Sequence, residues 1–159
     1  MHIQNINDLI NLQDIDIVKI SEVEDNIVYL TIEPVNKLQS CVLQKYRTCY
    51  KKGIRGYRKV RHLPIYGNIT ILLISQIRLH CKKCLCDFTF KYEFIDGKSR
   101  YTNQYKDNIA DAVTGSTVVH ASEFTGTPYS TVERIFKNYF NNIKPKICTE
   151  TLELSKNWY

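Results

Sequence analysis

The chain has 159 residues, of which 43% are apolar and 11% aromatic, so it can bury the core of one domain or two small ones and is not disordered. Its net charge of +6 is unevenly distributed: residues 1–40 sum to −5, residues 41–100 sum to +11 and the remaining residues sum to zero. The excess of cations in the middle of the chain favours a partner with a phosphate backbone.

The sequence also bears on location. The longest apolar-rich run, residues 69–79, contains Arg78 and is far shorter than the roughly 20 residues of a membrane-spanning helix. Residues 1–4 lack the basic and apolar regions of a secretory signal. We therefore predict a cytoplasmic protein that does not contact a membrane. In that reducing compartment, its six cysteines are more often free thiols or metal ligands than disulfides.

The N-terminal residues predict a helix followed by a β-hairpin. Ile3, Ile6, Leu9 and Ile10 recur at helical spacing within residues 3–13. Apolar residues then alternate over residues 15–17 and 28–32, on either side of a turn at residues 24–26, and the hairpin ends at Pro34. We predict that residues 1–40 form a lid or packing layer and not a functional site.

Two further strands are predicted between the cysteines. Residues 53–61 and 68–79 have strand patterns, and Gly67 and Asn68 supply the turn between them. The first strand follows Cys41 and Cys49, and the second leads directly into Cys81. Antiparallel pairing therefore brings the two cysteine groups together, which predicts a zinc-ribbon-like domain over residues 41–95.

The cysteine spacing leaves three interpretations open: a bound zinc, a ribbon that has lost its metal, and unrelated buried thiols. Cys81 and Cys84 have the Cys-x2-Cys spacing of a metal-binding knuckle, whereas Cys41 and Cys49 are separated by seven residues. We predict zinc as the cofactor. The predicted ligands are Cys41, Cys49, Cys81 and Cys84, and the available substitutes are Cys86, His80 and His62.

Residues 100–145 have the pattern of three helices. Thr102 can cap a first helix that ends at Gly115, and a second helix spans about 117–124 with Phe124 directed inward. Ser130 and Glu133 predict a capping box that opens a third helix after a tight turn. These features predict a helix-turn-helix, followed by a tail over residues 146–159. The expected apolar stripe of the third helix is Val132, Ile135, Phe136, Tyr139, Phe140 and Ile143.

The predicted fold class is therefore α+β: an N-terminal helix and β-hairpin, an antiparallel zinc-ribbon-like β unit and a C-terminal three-helix helix-turn-helix. Cations alternate with Tyr50 and Tyr57 around the first ribbon strand, which suits phosphates and bases. The alternative is a strand edge kept charged against aggregation. On the third helix, Arg134 and Asn138 are residue types that read base edges. The predicted DNA-binding residues are Arg55, Arg58, Lys59, Arg61, Ser130, Thr131, Arg134, Lys137 and Asn138.

We find no convincing catalytic set. Phosphate chemistry by carboxylate-bound metal requires two or three convergent acids, and the acidic residues cluster where the chain is least basic. His120, near Ser122 and Glu123, fits a surface or packing histidine better than a general base.

Three segments together resemble a known family. They are residues 57–65 (YRKVRHLPI), 77–84 (IRLHCKKC, followed by Phe88) and 125–135 (TGTPYSTVERI). In this order they resemble the N-terminal part of bacterial insertion-sequence transposases of the ISL3 group, over about residues 40–145. In that family a cysteine zinc finger precedes a helix-turn-helix, and a DDE nuclease domain of RNase H type follows both.

The resemblance implies zinc at Cys41, Cys81 and Cys84 and DNA contact from the helix opened by Ser130. Gln44 stands where the family has the second cysteine of its first knuckle. The family continues into a strand with the first catalytic aspartate, whereas residues 148–159 contain no Asp. The resemblance thus predicts a truncated transposase that binds terminal inverted repeats as double-stranded DNA, lacks the nuclease and can compete with the intact transposase. The alternatives are a zinc-ribbon protein-interaction or regulatory module, which acts on transposition or transcription, and a nonfunctional remnant.

Overall fold

The computed structural model describes residues 10–23, 26–37, 39–41 and 49–156, without the side chains of residues 22, 23 and 143–156. It divides into two compact units, Met1–Gln104 and Tyr105–Tyr159. The strands are β1 (Ile15–Val23), β2 (Ile27–Pro34), β3 (Tyr50–Ile65), β4 (Asn68–His80) and β5 (Asp87–Thr89), and the helices are α1 (Asn103–Thr114), α2 (Val118–Thr125) and α3 (Tyr129–Lys156).

One mixed sheet organises the first unit, with strand order β1-β2-β4-β3. The antiparallel pairs β1–β2 and β3–β4 confirm the two predicted hairpins. The two hairpins are joined by a parallel pairing of β2 with β4, which runs from Ile27 opposite Ile69 to Ile32 opposite Ile74. β5 pairs with the far end of β4. Strands from the two predicted domains, residues 1–40 and 41–95, therefore belong to the same sheet.

The larger apolar cluster of the first unit lies on one face of this sheet. Leu30, Leu72 and Val60 are opposite one another on β2, β4 and β3, and all three are fully buried. Because directly paired residues share a face, this row determines which face is covered. Ile10, Ile17, Ile32, Ile74 and Ile95 complete the apolar cluster.

The turn between β3 and β4 differs by one residue from the prediction. Its two central residues are Tyr66 and Gly67, both with positive φ (50° and 76°), and Asn68 already begins β4. Two such residues form the turn type that matches the twist of a β-hairpin. Tyr66 occupies a backbone region that glycine and asparagine prefer, so this turn was difficult to locate from sequence.

The second unit contains most of the three predicted helices, and α1 buries Tyr105, Ile109 and Val113. Two inward positions were predicted wrongly. Phe124 is 74% exposed, although Ala121, three residues earlier on the eight-residue helix α2, is fully buried. Phe140 is 52% exposed, although Val132 and Ile135 earlier on α3 are buried as predicted.

The ends of α3 also differ from the prediction. The helix begins at Tyr129, and the backbone N–H groups of Thr131 and Val132 donate to the carbonyl of Pro128. Glu133 pairs with Lys137 at 2.8 Å, so its side chain does not supply the predicted capping box. The helix extends to Lys156, through most of the predicted tail. The predicted N-terminal helix lies almost entirely outside the described residues.

Candidate metal centre and nucleic-acid interface

Four cysteines converge at the open end of the β3–β4 hairpin, two of them before β3 and two after β4. The Sγ atoms of Cys41, Cys49 and Cys81 all lie within 4.8 Å of one another, and all three side chains are buried. The Sγ of Cys84 lies 3.3 Å from that of Cys41. None of the five described cysteines forms a disulfide. The chain approaches this centre on Tyr50, opposite His80 in the hairpin register, so β-pairing itself produces the convergence.

The loop after β4 has the hydrogen bonds of a knuckle. The backbone N–H of Leu85 donates to the carbonyl of Cys81 (2.9 Å), and the N–H of Cys81 donates to the carbonyl of Cys86 (3.1 Å). Leu85 has φ 55°, in the left-handed region, which allows the chain to reverse. Ile77, Leu79, Phe88 and Phe90 pack beside the thiols, so an apolar layer supports the centre.

The protonation of these thiols is uneven. The pKa of Cys81 falls to about 6, because its Sγ accepts hydrogen bonds from the backbone N–H groups of Cys84 and Lys83. Burial raises the pKa of Cys49 to about 11. The backbone N–H of Cys86 lowers the pKa of Cys84, but the neighbouring thiols of Cys41 and Cys81 outweigh it, and the pKa rises to about 12. Backbone N–H groups that favour the thiolate form of Cys81, beside close sulfur atoms, give a donor set that suits a tetrahedral cation such as zinc.

The three substitute ligands named from the sequence are hydrogen-bonded to other groups. His62 is buried, and both ring nitrogens are engaged, Nδ1 with Thr102 Oγ1 (2.9 Å) and Nε2 with the carbonyl of Ile10 (3.1 Å). Burial lowers its pKa, so it is a neutral core histidine. His80 Nδ1 is hydrogen-bonded to Asp87, and the exposed Cys86 donates to the carbonyl of Cys84 (3.3 Å).

Sequence reasoning missed the ionic cluster around Asp87. Lys52 Nζ lies 2.8 Å and Arg78 Nη2 lies 3.2 Å from Asp87 Oδ2, and His80 contacts the other carboxylate oxygen. Hydrogen bonds from Lys52 and then His80 lower the pKa of Asp87 to about 2. The cluster ties β3, β4 and β5 together directly after the knuckle. An acid placed three residues after Cys84 in a basic segment was the available signal.

The predicted cations of β3 do not share one face. Arg58 Nη1 donates to the carbonyl of Gly97 at 2.9 Å, on the same face as the buried Val60. Lys59 and Arg61 lie on the opposite face, because successive residues of a strand alternate. Arg55 is exposed at an irregularity between Ile54 and Tyr57.

The second unit contains a short helix, a tight turn and a longer helix. Thr117 caps α2 by accepting the N–H of His120 (3.2 Å), and Gly126, at φ 59°, ends it in the left-handed conformation. Tyr105 Oη is hydrogen-bonded to Thr127 Oγ1 at 2.9 Å, which fixes the turn on α1. The predicted contact residues of α3 are Ser130, Arg134, Lys137 and Asn138, which are exposed, and Thr131, which is half-buried.

A comparison with known protein families also identifies a helix-turn-helix in this part of the chain. Residues 90–139 match the family model described as the helix-turn-helix domain of transposase family ISL3. This segment is an ISL3-family transposase helix-turn-helix region. No curated protein and no solved structure matches the chain significantly.

The ISL3 region covers α1, α2, the turn and the first part of α3, less than half of the chain. It includes the exposed α3 residues named above and excludes the four converging cysteines. Among the described helices, none combines the length and apolar character needed to cross a bilayer.

Proposed function

We propose that the chain is the DNA-binding portion of an insertion-sequence transposase and that it recognises the terminal inverted repeats of its element. The observation that carries this proposal is the exposed polar face of α3 within the ISL3 helix-turn-helix region. Ser130, Arg134 and Asn138 recur every four residues, so they occupy one side of the helix. Val132 and Ile135, on the other side, are buried.

This face has the chemistry of direct readout. In the proposed complex α3 lies in the major groove, where the guanidinium of Arg134 donates to a guanine edge and the amide of Asn138 pairs with an adenine edge. Ser130, Thr131 and Lys137 contact phosphates and fix the register. Glu133 holds the ammonium of Lys137 at 2.8 Å in the free protein, so a phosphate would have to compete with this carboxylate.

We further propose that the four converging cysteines hold one zinc ion. Cys41, Cys49, Cys81 and Cys84 would supply four thiolates, the ligand set of closed structural zinc sites. The buried thiols, the knuckle hydrogen bonds and the low pKa of Cys81 all support this assignment. The zinc would hold both ends of the long β3–β4 hairpin. Its contribution is structural, and the phosphate contacts come from cations such as Arg55.

The test of DNA recognition is an electrophoretic shift with purified protein. One duplex carries a candidate terminal repeat, and a second has the same composition in scrambled order. We expect tighter binding to the repeat and an affinity that falls steeply as salt rises, because phosphate contacts release counterions. Equal, salt-insensitive binding to both duplexes would overturn the proposal.

We also infer that residues 1–159 bind DNA without cutting it. Among the described residues, the group found with three or more clustered metal-ligating side chains consists of cysteines and not of the carboxylates that phosphate chemistry requires. Supercoiled DNA with both repeats, incubated with protein and magnesium or manganese, should stay intact. Metal-dependent nicking that disappears from a mock purification would contradict this inference. A binder that does not cut could compete with the intact transposase.

A second function is favoured by one observation on α2. Phe124 and Val119 are both more than half exposed, and such apolar side chains can form a protein-binding surface. The chain would then be a regulatory module that binds a protein acting in transposition or transcription. This alternative predicts that Phe124→Ser abolishes partner capture without changing the DNA shift.

A further inference from the structure

The sheet of the first unit has a second face, opposite its core. Two rows of paired residues cross it: Lys19, Thr31, Leu73 and Lys59, and then Ser21, Tyr29, Ile71 and Arg61. These rows alternate with the buried row of Leu30, Leu72 and Val60, so their side chains lie on the other side. We call this surface the outer sheet face.

Three tyrosines belong to the outer sheet face. Tyr57 is two residues before Lys59 on β3 and is 53% exposed. Tyr29 lies on β2, where the Nζ atom of Lys59 is 5.4 Å from its ring centroid. Tyr101 is bridged to Arg61, whose N–H donates to the carbonyl of Arg100 and whose carbonyl accepts the N–H of Thr102. Since bridged residues share a face, the side chain of Tyr101 lies on the same face as that of Arg61.

The charge on this face is positive around an apolar centre. Lys19 and Lys59 are exposed, and Arg61 is half-buried. Among the described strand residues, acids occur on this face at one end, where Asp16 is opposite Glu33. Glu33 is already paired with Lys37 at 2.7 Å. Leu73 lies in the row between Lys19 and Lys59, and Ile69 and Ile71 continue this apolar strip along β4. The middle of the surface is therefore suited to bases more than to phosphates.

We propose that the outer sheet face binds an unpaired nucleic-acid strand. Bases stack on the rings of Tyr57, Tyr29 and Tyr101, while Lys59, Arg61 and Lys19 contact the phosphates. A duplex keeps its bases stacked inside and cannot use these rings, whereas a single strand offers both base faces and backbone charge. The inference rests on the proposed DNA-binding function and deepens it by adding a second form of nucleic acid. The first compact unit would bind this form, whereas the helix-turn-helix belongs to the second unit.

The test uses the full chain with a fluorescein-labelled oligothymidylate and measures fluorescence anisotropy. Loss of one stacked base costs about 1–3 kcal/mol, so Tyr57→Ala should weaken strand binding about 5- to 150-fold. Tyr57→Phe retains the ring and should bind nearly as the natural protein does. Tyr66→Ala is the matched control, because Tyr66 is 69% exposed on the β3–β4 turn, outside the outer sheet face. Circular dichroism should show the same folded content in all variants.

The two proposals fail in different ways. If Arg134→Ala abolishes the duplex shift and leaves strand binding intact, the two surfaces act separately, as we expect. If the oligothymidylate does not bind, or binds equally to the natural protein, Tyr57→Ala and Tyr66→Ala, the outer sheet face is not a strand-binding surface, whatever happens to duplex binding. Tyr57→Ala that changes no nucleic-acid affinity but abolishes capture of a protein would assign the face to a protein and overturn the inference.

Discussion

The Sγ atoms of Cys41 and Cys84 lie 3.3 Å apart, although the two residues are 43 positions apart in the chain. The β3–β4 hairpin occupies most of that interval, and its antiparallel register returns the chain to its starting point. Two more buried thiols lie beside this sulfur pair. An ion bound by these sulfur atoms would close a long loop of the chain and so restrain a large part of the first unit.

Zinc content provides the first prediction. Protein purified without chelator should contain about one zinc per chain, and Cys81→Ser should reduce this content and lower the melting temperature, because one thiolate of the centre is lost. Elemental analysis and thermal unfolding measure both effects. Cys86→Ser is the control, since the thiol of Cys86 is exposed and contacts a carbonyl instead of the cluster. If the natural protein is zinc-free and equally stable in chelator, the centre is a set of buried thiols.

The second prediction concerns the two ways in which α3 contacts DNA. Arg134→Ala should cost about 1–3 kcal/mol of binding to the repeat duplex and relax preference at one base pair, because it removes a base-edge contact. Lys137→Ala should weaken binding to all duplexes alike and reduce the salt slope by about one. Titrations at several salt concentrations, with repeat and scrambled duplexes, separate the two effects. Lys98→Ala, which removes an exposed cation before α1, should behave as the natural protein does.

The third prediction tests the corrected packing of the second unit. Phe124→Ala should change the free energy of unfolding by less than about 0.5 kcal/mol, because the ring is exposed and stacks on His120 alone among the described rings. Ile109→Ala should cost about 2–5 kcal/mol, since Ile109 is fully buried on α1 and truncation leaves a cavity. Denaturant unfolding gives both values. A large cost for Phe124→Ala would mean that its ring is buried, as the sequence predicted.

The fourth prediction is a dependence of stability on pH through Asp87. Its pKa in the folded protein is about 2, below the value of about 3.9 for an unfolded aspartate. A carboxyl group with a depressed pKa stabilises the fold fully above its unfolded pKa, and this contribution is lost as pH falls through the folded pKa. The melting temperature of the natural protein should therefore exceed that of Asp87→Asn at neutral pH, and the difference should shrink between about pH 4 and pH 2.

The comparison is made at each pH between the two proteins, so that loss of metal common to both cancels. Asp111→Asn, at an exposed position on α1, is the matched control and should show a smaller difference from the natural protein throughout. A difference for Asp87→Asn that stays constant from neutral pH to pH 2 would show that the ionic cluster does not stabilise the first unit.

The sequence alone was sufficient for features that depend on neighbouring residues. Alternation and turn residues predicted both hairpins, and the position of Cys49 and Cys81 at the two ends of one hairpin predicted that their thiols meet. Periodicity predicted the three helices because α1 and the start of α3 have strong apolar stripes. Each of these inferences depends only on the residues of one segment, or on one segment and the strand that follows it in a hairpin.

Tertiary structure alone decided the relationships between segments. The parallel pairing of β2 with β4 has no signal in either strand, since it depends on hydrogen bonds between residues about 40 apart. That pairing places Tyr29 within reach of Lys59 and so creates the outer sheet face from two predicted domains. Alternation along β3 already separates Arg58 from Lys59, but only the tertiary structure shows that the face of Arg58 is the covered one, where its guanidinium contacts the carbonyl of Gly97. Local patterns fix what each segment becomes, but packing decides which side chains share a surface.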